Sequence, residues 1–195
     1  MSAPAASGAS QPVDQEIGAG LRRLRRARGL SLVDLAARTS LSIGFLSQIE
    51  RGLSSPTLRV LVGMADAFGV GLADLFPNGA PPQDRPATIV RGADRSELQL
   101  WRSGIRKHLL TPLSESSKLN LYMVELEPGA STGDELYTHQ GEEAGLVMHG
   151  AMLLKVESES WTLQEGDSFR FLSSRPHCFA NAAEGETRVL WVTSL

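Results

Sequence analysis

Ten residues, PNGAPPQDRP at 77–86, decide how this chain can fold. Proline lacks an amide donor and fixes φ, so four prolines in that span stop any helix or interior strand from running through it. The hydrophobic spacing also changes across it. Before the span, apolar residues recur every three or four positions: Ile17, Leu21, Leu24; then Leu32, Leu35, Ala36; then Leu46, Ile49; then Leu58, Leu61, Met64, Ala65, Phe68. After it come short strand-like runs, ATIV, LNLYMVEL, AGLVM, AMLLKV, SWTL, SFRFL, HCFAN and TRVLWVT. The turns PGAS, HGA, EGD and AEGE separate several of them. This pattern predicts an all-α unit, a Pro-rich linker at 77–86, and an all-β barrel or jelly roll.

Punctuation within 14–76 predicts five short helices. Gly29 ends the first. Ser31 caps the second, with Asp34 three residues on as its capping-box partner. Ser42 caps the third and Gly52 ends it. Pro56 and Thr57 open the fourth, Gly69 closes it, and a short fifth helix runs through Phe76. Residues 1–13, rich in Ala, Ser, Gly and Pro, cannot bury enough surface to order and are expected to be a disordered tail.

Charge is divided unevenly between the halves. Residues 14–76 hold eight Arg against six acidic residues, a net of +2, whereas 86–195 hold ten basic against fifteen acidic, a net of −5. Five arginines fall in LRRLRRARG, which points to a polyanionic partner for the helical half or to a solvated helix face. A lone cysteine, Cys178, excludes an internal disulfide and fits a reducing compartment. With no secretory leader and no apolar run of membrane-spanning length, a cytoplasmic chain with no membrane partner is expected.

In the helical half, LxxLA at Leu32–Ala36, SQIERG at Ser47–Gly52 and SSPTL at Ser54–Leu58 resemble the DNA-binding domain of phage-repressor-like (Xre-type) regulators. That resemblance implies a helix-turn-helix domain over 14–76, acting as a homodimer on double-stranded operator DNA. The second helix of the pair would enter the major groove, with Ser42, Ile43, Gly44, Ser47 and Gln48 on its exposed face. Gln48 can pair bidentately with adenine and Ile43 can touch a thymine methyl, while Arg38, Arg51 and Arg59 would neutralise phosphates. Glu50, repelled by DNA, is expected to support Arg51 or cap a neighbouring helix. Without DNA, such a bundle would be a protein-contact domain.

Residues 87–195 resemble a small cupin, a double-stranded β-helix or jelly-roll barrel, and two spaced motifs carry the likeness. In the first, His139, Glu143 and Gly150 stand in register, but Tyr137 occupies the position of the first His. In the second, Gly166, His177 and Asn181 stand in register, with Leu172 and Ser174 at the Pro and Gly positions. Strand alternation turns Tyr137 with His139, and His177 with Phe179 and Asn181, toward one interior; Cys178 faces away. The resemblance implies an effector pocket of Tyr137, His139, Glu143, His177, Phe179 and Asn181. The set His139, Glu143 and His177 could hold one divalent ion, Zn, Fe, Ni or Mn. The same His–Glu grouping also reads as a hydrogen-bonded pair with no metal, and Tyr137 as either a weak ligand or a wall. His108 and His149 read as surface, and Phe169, Phe171 and Trp191 as core.

Helix-turn-helix, Pro-rich linker and cupin, in that order, resemble bacterial one-component regulators. That layout implies a small-molecule sensor and no catalysis, and the polar groups of the pocket suggest an amine, an amino acid or a small organic acid. A non-haem iron enzyme resembling hydroxypropylphosphonate epoxidase shares the layout and the two-His, one-Glu set. That family also brings a lysine into its site from the helical domain. Here the lysines are Lys107, Lys118 and Lys155, all beyond the helical half.

Overall fold

The computed structural model describes residues 12–75, 89–100, 102–112 and 118–194. Most of the expected tail, Phe76, the segment 77–86 and the first half of ATIV lie outside them.

Four α-helices build the N-terminal unit: α1 (Pro12–Ala27), α2 (Leu32–Thr39), α3 (Ile43–Glu50) and α4 (Leu58–Phe68). The expected fifth helix is a single 3₁₀ turn over its described residues, Leu72–Leu75, so the described part of the bundle has four α-helices rather than five. The caps are those the sequence specifies. Ser31 Oγ accepts from the Asp34 amide at 3.1 Å, and Asp34 Oδ2 accepts from the Ser31 amide at 2.8 Å, completing a capping box. Ser42 and Thr57 cap α3 and α4, and Gly69, at φ 66°, closes α4. Leu21, Leu35, Leu46, Ile49, Leu61 and Met64 form a fully buried centre. At Gly18 a Cβ would collide with the carbonyl of Ile49, so this glycine sets how closely α1 can cross the end of α3.

Glu50 departs from its expected role. Its carboxylate binds Arg25 of α1 bidentately, at 2.6 and 2.9 Å, and the pair is nearly buried. Arg28 donates to the Phe68 carbonyl at 2.5 Å and lies over the Phe68 ring. Two of the five arginines in LRRLRRARG therefore brace the helical unit, Arg25 nearly buried and Arg28 from an exposed position.

Nine strands follow among the described residues: β1 (Glu97–Leu100), β2 (Ile105–Leu109), β3 (Leu119–Leu126), β4 (Glu142–His149), β5 (Ala151–Val156), β6 (Glu159–Gln164), β7 (Ser168–Leu172), β8 (His177–Asn181) and β9 (Thr187–Ser194). They form an antiparallel six-stranded sheet, β1-β2-β3-β9-β4-β7, facing a three-stranded sheet, β6-β5-β8. Ile89 and Val90 are not in a strand; the first two strands lie instead in ELQL and IRKHL.

Register stacks the interior into layers. Phe171, Glu143, Thr193 and Asn120 lie side by side across β7, β4, β9 and β3. The next layer holds Phe169, Gly145, Trp191, Tyr122 and Leu109, and beneath it lie Val147, Val189, Val124 and Lys107. A Cβ at Gly145 would overlap the Phe169 ring, so this glycine makes room for the aromatic layer.

Candidate functional site

The polar layer opens at the barrel mouth, where three ionisable side chains converge. His139 Nε2 lies 2.9 Å from Glu143 Oε1, and His177 Nε2 lies 3.7 Å from Glu143 Oε2. The ligand-type atoms of His139, Glu143 and His177 all fall within 4.8 Å of one another. Strand alternation brings Glu143 inward from β4, and β8 presents His177. His139 comes from the loop before β4, held by its amide on the Ser173 carbonyl at 3.1 Å.

The two histidines stand in different protonation environments. His177 Nδ1 meets the Arg175 carbonyl at 2.8 Å, so this nitrogen carries the proton and Nε2 holds a lone pair. Burial, the larger influence, lowers the His177 pKa despite the attraction of Glu143, favouring that neutral form. Burial also pulls His139 down, but its hydrogen bond to Glu143 and the carboxylate's charge outweigh it, so the net shift is upward. Glu143 is pushed up by burial and pulled further down by His139, His177 and Lys107.

Glu143 Oε2 and His177 Nε2 are both buried without a hydrogen-bond partner. A lone pair facing a carboxylate oxygen at 3.7 Å is an arrangement that a cation between them would satisfy. The donor set, two imidazoles and a carboxylate, fits a divalent transition metal. His139, Glu143 and His177 are the residues that would hold it. Tyr137 is buried, and burial holds its hydroxyl well above the usual phenol range, so it stays a neutral phenol. Its ring centroid lies 4.3 Å from that of His177, and its backbone pairs with that of His177. Tyr137 is a wall against the imidazole.

Phe179 and Asn181 face the interior as alternation requires, but at other depths. Phe179 pairs with Leu154 and packs on Trp191 at 4.7 Å, inside the core. Asn181 lies four residues from His177, about 13 Å along the strand at ~3.3 Å per residue. Its amide donates to the carbonyls of Leu126, Glu127 and Gly185 and accepts from Ala183 N and Thr187 Oγ1. Neither residue, nor His177 itself, lines the cavity beside His139 and Glu143. Cys178 is buried beside Leu153 and Lys155, away from that cavity. His149 pairs with Glu165, and His108 lies near Glu97 and Glu125, so both remain outside the site.

The cavity, about 40 Å³, is walled by both domains. From the barrel come Lys107, Asn120 and Thr193 with His139 and Glu143; from the helical unit come Val62, Ala65 and Asp66 of α4 and the segment Val70–Leu72. Asp66 sits on the rim. Partial burial raises its carboxyl, while the charge of His139 and the Gln140 backbone oppose the rise. Arg59, on the same helix, is exposed and forms an ion pair with Glu135 of the barrel.

Sequence reasoning missed Lys107, Asn120, Thr193 and Asp66. For Lys107 a signal existed: it alternates with Ile105 and Leu109, so a charge occupies the apolar face of a strand. Its ammonium lies 5.4 Å from the Tyr122 ring and 5.6 Å from the Trp191 ring, and burial lowers its pKa from 10.5 to about 8 against the pull of Glu143. Below pH 8 both folded and unfolded chains are protonated, and the fold bears the whole desolvation cost, about 3 kcal/mol for a shift of this size. Between about 8 and 10.5 the unfolded chain binds the extra proton, so stability rises with pH. The stability deficit of wild type relative to Lys107→Met should therefore shrink across that window in denaturant melts. A difference that stays constant with pH would refute the shifted lysine.

Comparison with known proteins places both halves. The helix-turn-helix domain family matches residues 16–76, and the cupin domain family matches residues 122–193. The chain thus carries a helix-turn-helix domain followed by a C-terminal cupin domain. It is 27% identical over 173 residues to the HTH-type transcriptional regulator PuuR of Escherichia coli, covering 89% of this chain and 91% of PuuR. It is also 27% identical to the regulator SutR of the same organism, over 84% of this chain and 86% of SutR. Among solved structures, an HTH_3 family transcriptional regulator from Vibrio cholerae superposes with a TM-score of 0.74 at 24% identity, covering 94% of this chain and 97% of that one. The iron(II) form of HppE shares the fold at a TM-score of 0.50 and 19% identity, over 93% and 99% of the two chains. No helix among the described residues is long and apolar enough to cross a membrane.

Proposed function

We propose that this protein is a sequence-specific DNA-binding transcriptional regulator whose cupin domain senses a small effector, with a divalent metal as an accessory of that site. One observation carries the reading: the cavity beside the His–Glu–His cluster is walled by α4, and α4 belongs to the same compact unit as α3. A ligand that favours one arrangement of barrel and α4 therefore biases how α3 is presented. The regulators PuuR and SutR, alike over most of their length, support the same function. Domains at 14–76 and 87–195, joined by 77–86, and action as a homodimer are part of this proposal.

On α3, Ser42, Ile43, Gly44 and Gln48 are exposed and Ser47 is half-buried. A Cβ added at Gly44 would meet nothing within 4 Å, so no contact within the chain requires a residue that weakens a helix by about 1 kcal/mol relative to Ala. Close approach of the helix to a DNA backbone would. Arg38 and Arg51 stay exposed for phosphates. Gln48→Ala should cost about 1–3 kcal/mol of discrimination between operator and mismatched DNA. Arg51→Ala should weaken binding to all sequences and flatten its salt dependence by about one charge. Electrophoretic mobility shifts on the chain's own promoter, across a salt series, separate the two effects. Equal, sequence-blind losses from both substitutions would count against these roles.

For the metal, Zn, Fe, Ni and Mn salts added to chelator-treated protein should raise the unfolding midpoint by mass action. His177→Ala should abolish the rise, because it removes the one imidazole whose Nε2 already carries a lone pair toward Glu143. A wild-type midpoint indifferent to all four metals ends the metal assignment.

A further inference from the structure

Lys107 brings a charge into the third layer of the barrel interior, where it is rooted beside Val124, Val189 and Val147. Packing alone does not explain it, since methionine would fill the same space without burying an ammonium. From that depth its amine passes the faces of Tyr122 and Trp191 and reaches the cavity. Asn120 and Thr193, direct partners on β3 and β9, line the same cavity. Glu143 already has one oxygen on His139.

The cavity's polar lining narrows what it can hold. A carboxylate presents two acceptor oxygens suited to the Lys107 ammonium and the Asn120 amide donor. A ligand ammonium would face Lys107 and be repelled. A metal on His139, Glu143 and His177 would add positive charge, so the preference for an anion holds with or without it. Val62 and Ala65 of α4 offer apolar cover for a short alkyl chain, while Asp66 at the rim would repel a second carboxylate.

We propose that the barrel mouth is a carboxylate-binding site anchored by Lys107 and Asn120, and that the effector is a short-chain monocarboxylate whose alkyl end abuts α4. Calling that ligand an effector rests on the regulator reading above; the binding site itself does not. The test uses full-length, chelator-treated protein at constant ionic strength, titrated with sodium acetate, propionate and succinate and with propylammonium chloride. Binding is read by calorimetry and thermal unfolding, and operator binding is scored on the same samples.

Acetate and propionate should bind and raise the unfolding midpoint, while succinate and propylammonium should not. Lys107→Met and Asn120→Asp should each weaken propionate by about tenfold or more, as expected for losing a hydrogen bond to a charged group. Lys118→Met, at an exposed lysine, should leave binding intact. Circular dichroism verifies folding; if one variant fails to fold, the other decides. Carboxylate binding without any DNA binding would sink the regulator reading and leave the site standing. DNA binding without carboxylate binding, or propionate bound equally by wild type and Lys107→Met, would overturn the site, as would a preference for propylammonium.

Discussion

Glu50→Ala should unfold the helical domain selectively and abolish operator binding, while the barrel keeps its own thermal transition. The Arg25–Glu50 pair is bidentate and nearly buried, with side-chain exposures of 11% and 5%. Removing one member of such a pair leaves the other charge desolvated and unpaired, at a cost of about 3–5 kcal/mol. A unit of this size has a total stability of only several kcal/mol, at roughly 0.05–0.15 kcal/mol per residue, so the loss takes most of it. The double substitution Arg25→Met with Glu50→Leu should recover much of the stability, because apolar packing replaces two desolvated charges. If Glu50→Ala melts like wild type, the pair is not the brace between α1 and α3 that its geometry describes. Circular dichroism for the helices and near-ultraviolet signal for the barrel report the two units separately.

Trp191→Ala should cost the barrel about 3–5 kcal/mol, the range for deleting a large aromatic from a packed interior. Trp191 is 1% exposed and touches groups on three sides of the barrel: the Phe169 ring at 4.8 Å, the Phe179 ring at 4.7 Å, and the Lys107 ammonium at 5.6 Å. Its loss removes a layer of the core and one of the two ring faces that offset the buried ammonium. Trp191→Phe, which keeps a ring in place, should recover more than half of the loss. Equilibrium urea unfolding of each variant measures this. A loss below about 1 kcal/mol for the alanine variant, far under the usual range, would mean that the aromatic layer does not carry the barrel.

Local rules made the elements legible. Caps at Ser31, Ser42 and Thr57 and the stop at Gly69 depend on neighbours within four residues, and the sequence alone identifies them. Glu143, His139 and His177 were legible because motif spacing carries their convergence. Alternation gives a side chain's face but says nothing of its depth, so it does not set Phe179 and Asn181 apart from the residues that line the cavity. For Glu50 local sequence offers the adjacent Arg51 or the cap of a neighbouring helix, whereas its partner is 25 positions away on α1. Lys107 is marked only by a charge on the apolar face of β2, and Asn120 is hidden because its strand partner on β9, Thr193, lies far along the chain. Nothing near Asp66 in sequence announces that it borders a cavity in the other domain.

α4 carries two obligations at once. Leu58, Leu61, Met64 and Phe68 fill the helical core, while Val62, Ala65 and Asp66 border the barrel cavity. The two domains are therefore less interchangeable than a Pro-rich join suggests. A chimera that takes its DNA-binding half from a relative and is spliced within 77–86 would also import a foreign wall for the cavity. Its ligand preference would then shift although every barrel residue is unchanged. Grafting a new operator preference onto this sensor calls for exchanging the exposed face of α3 alone, with α4 and its Val62–Asp66 segment left native.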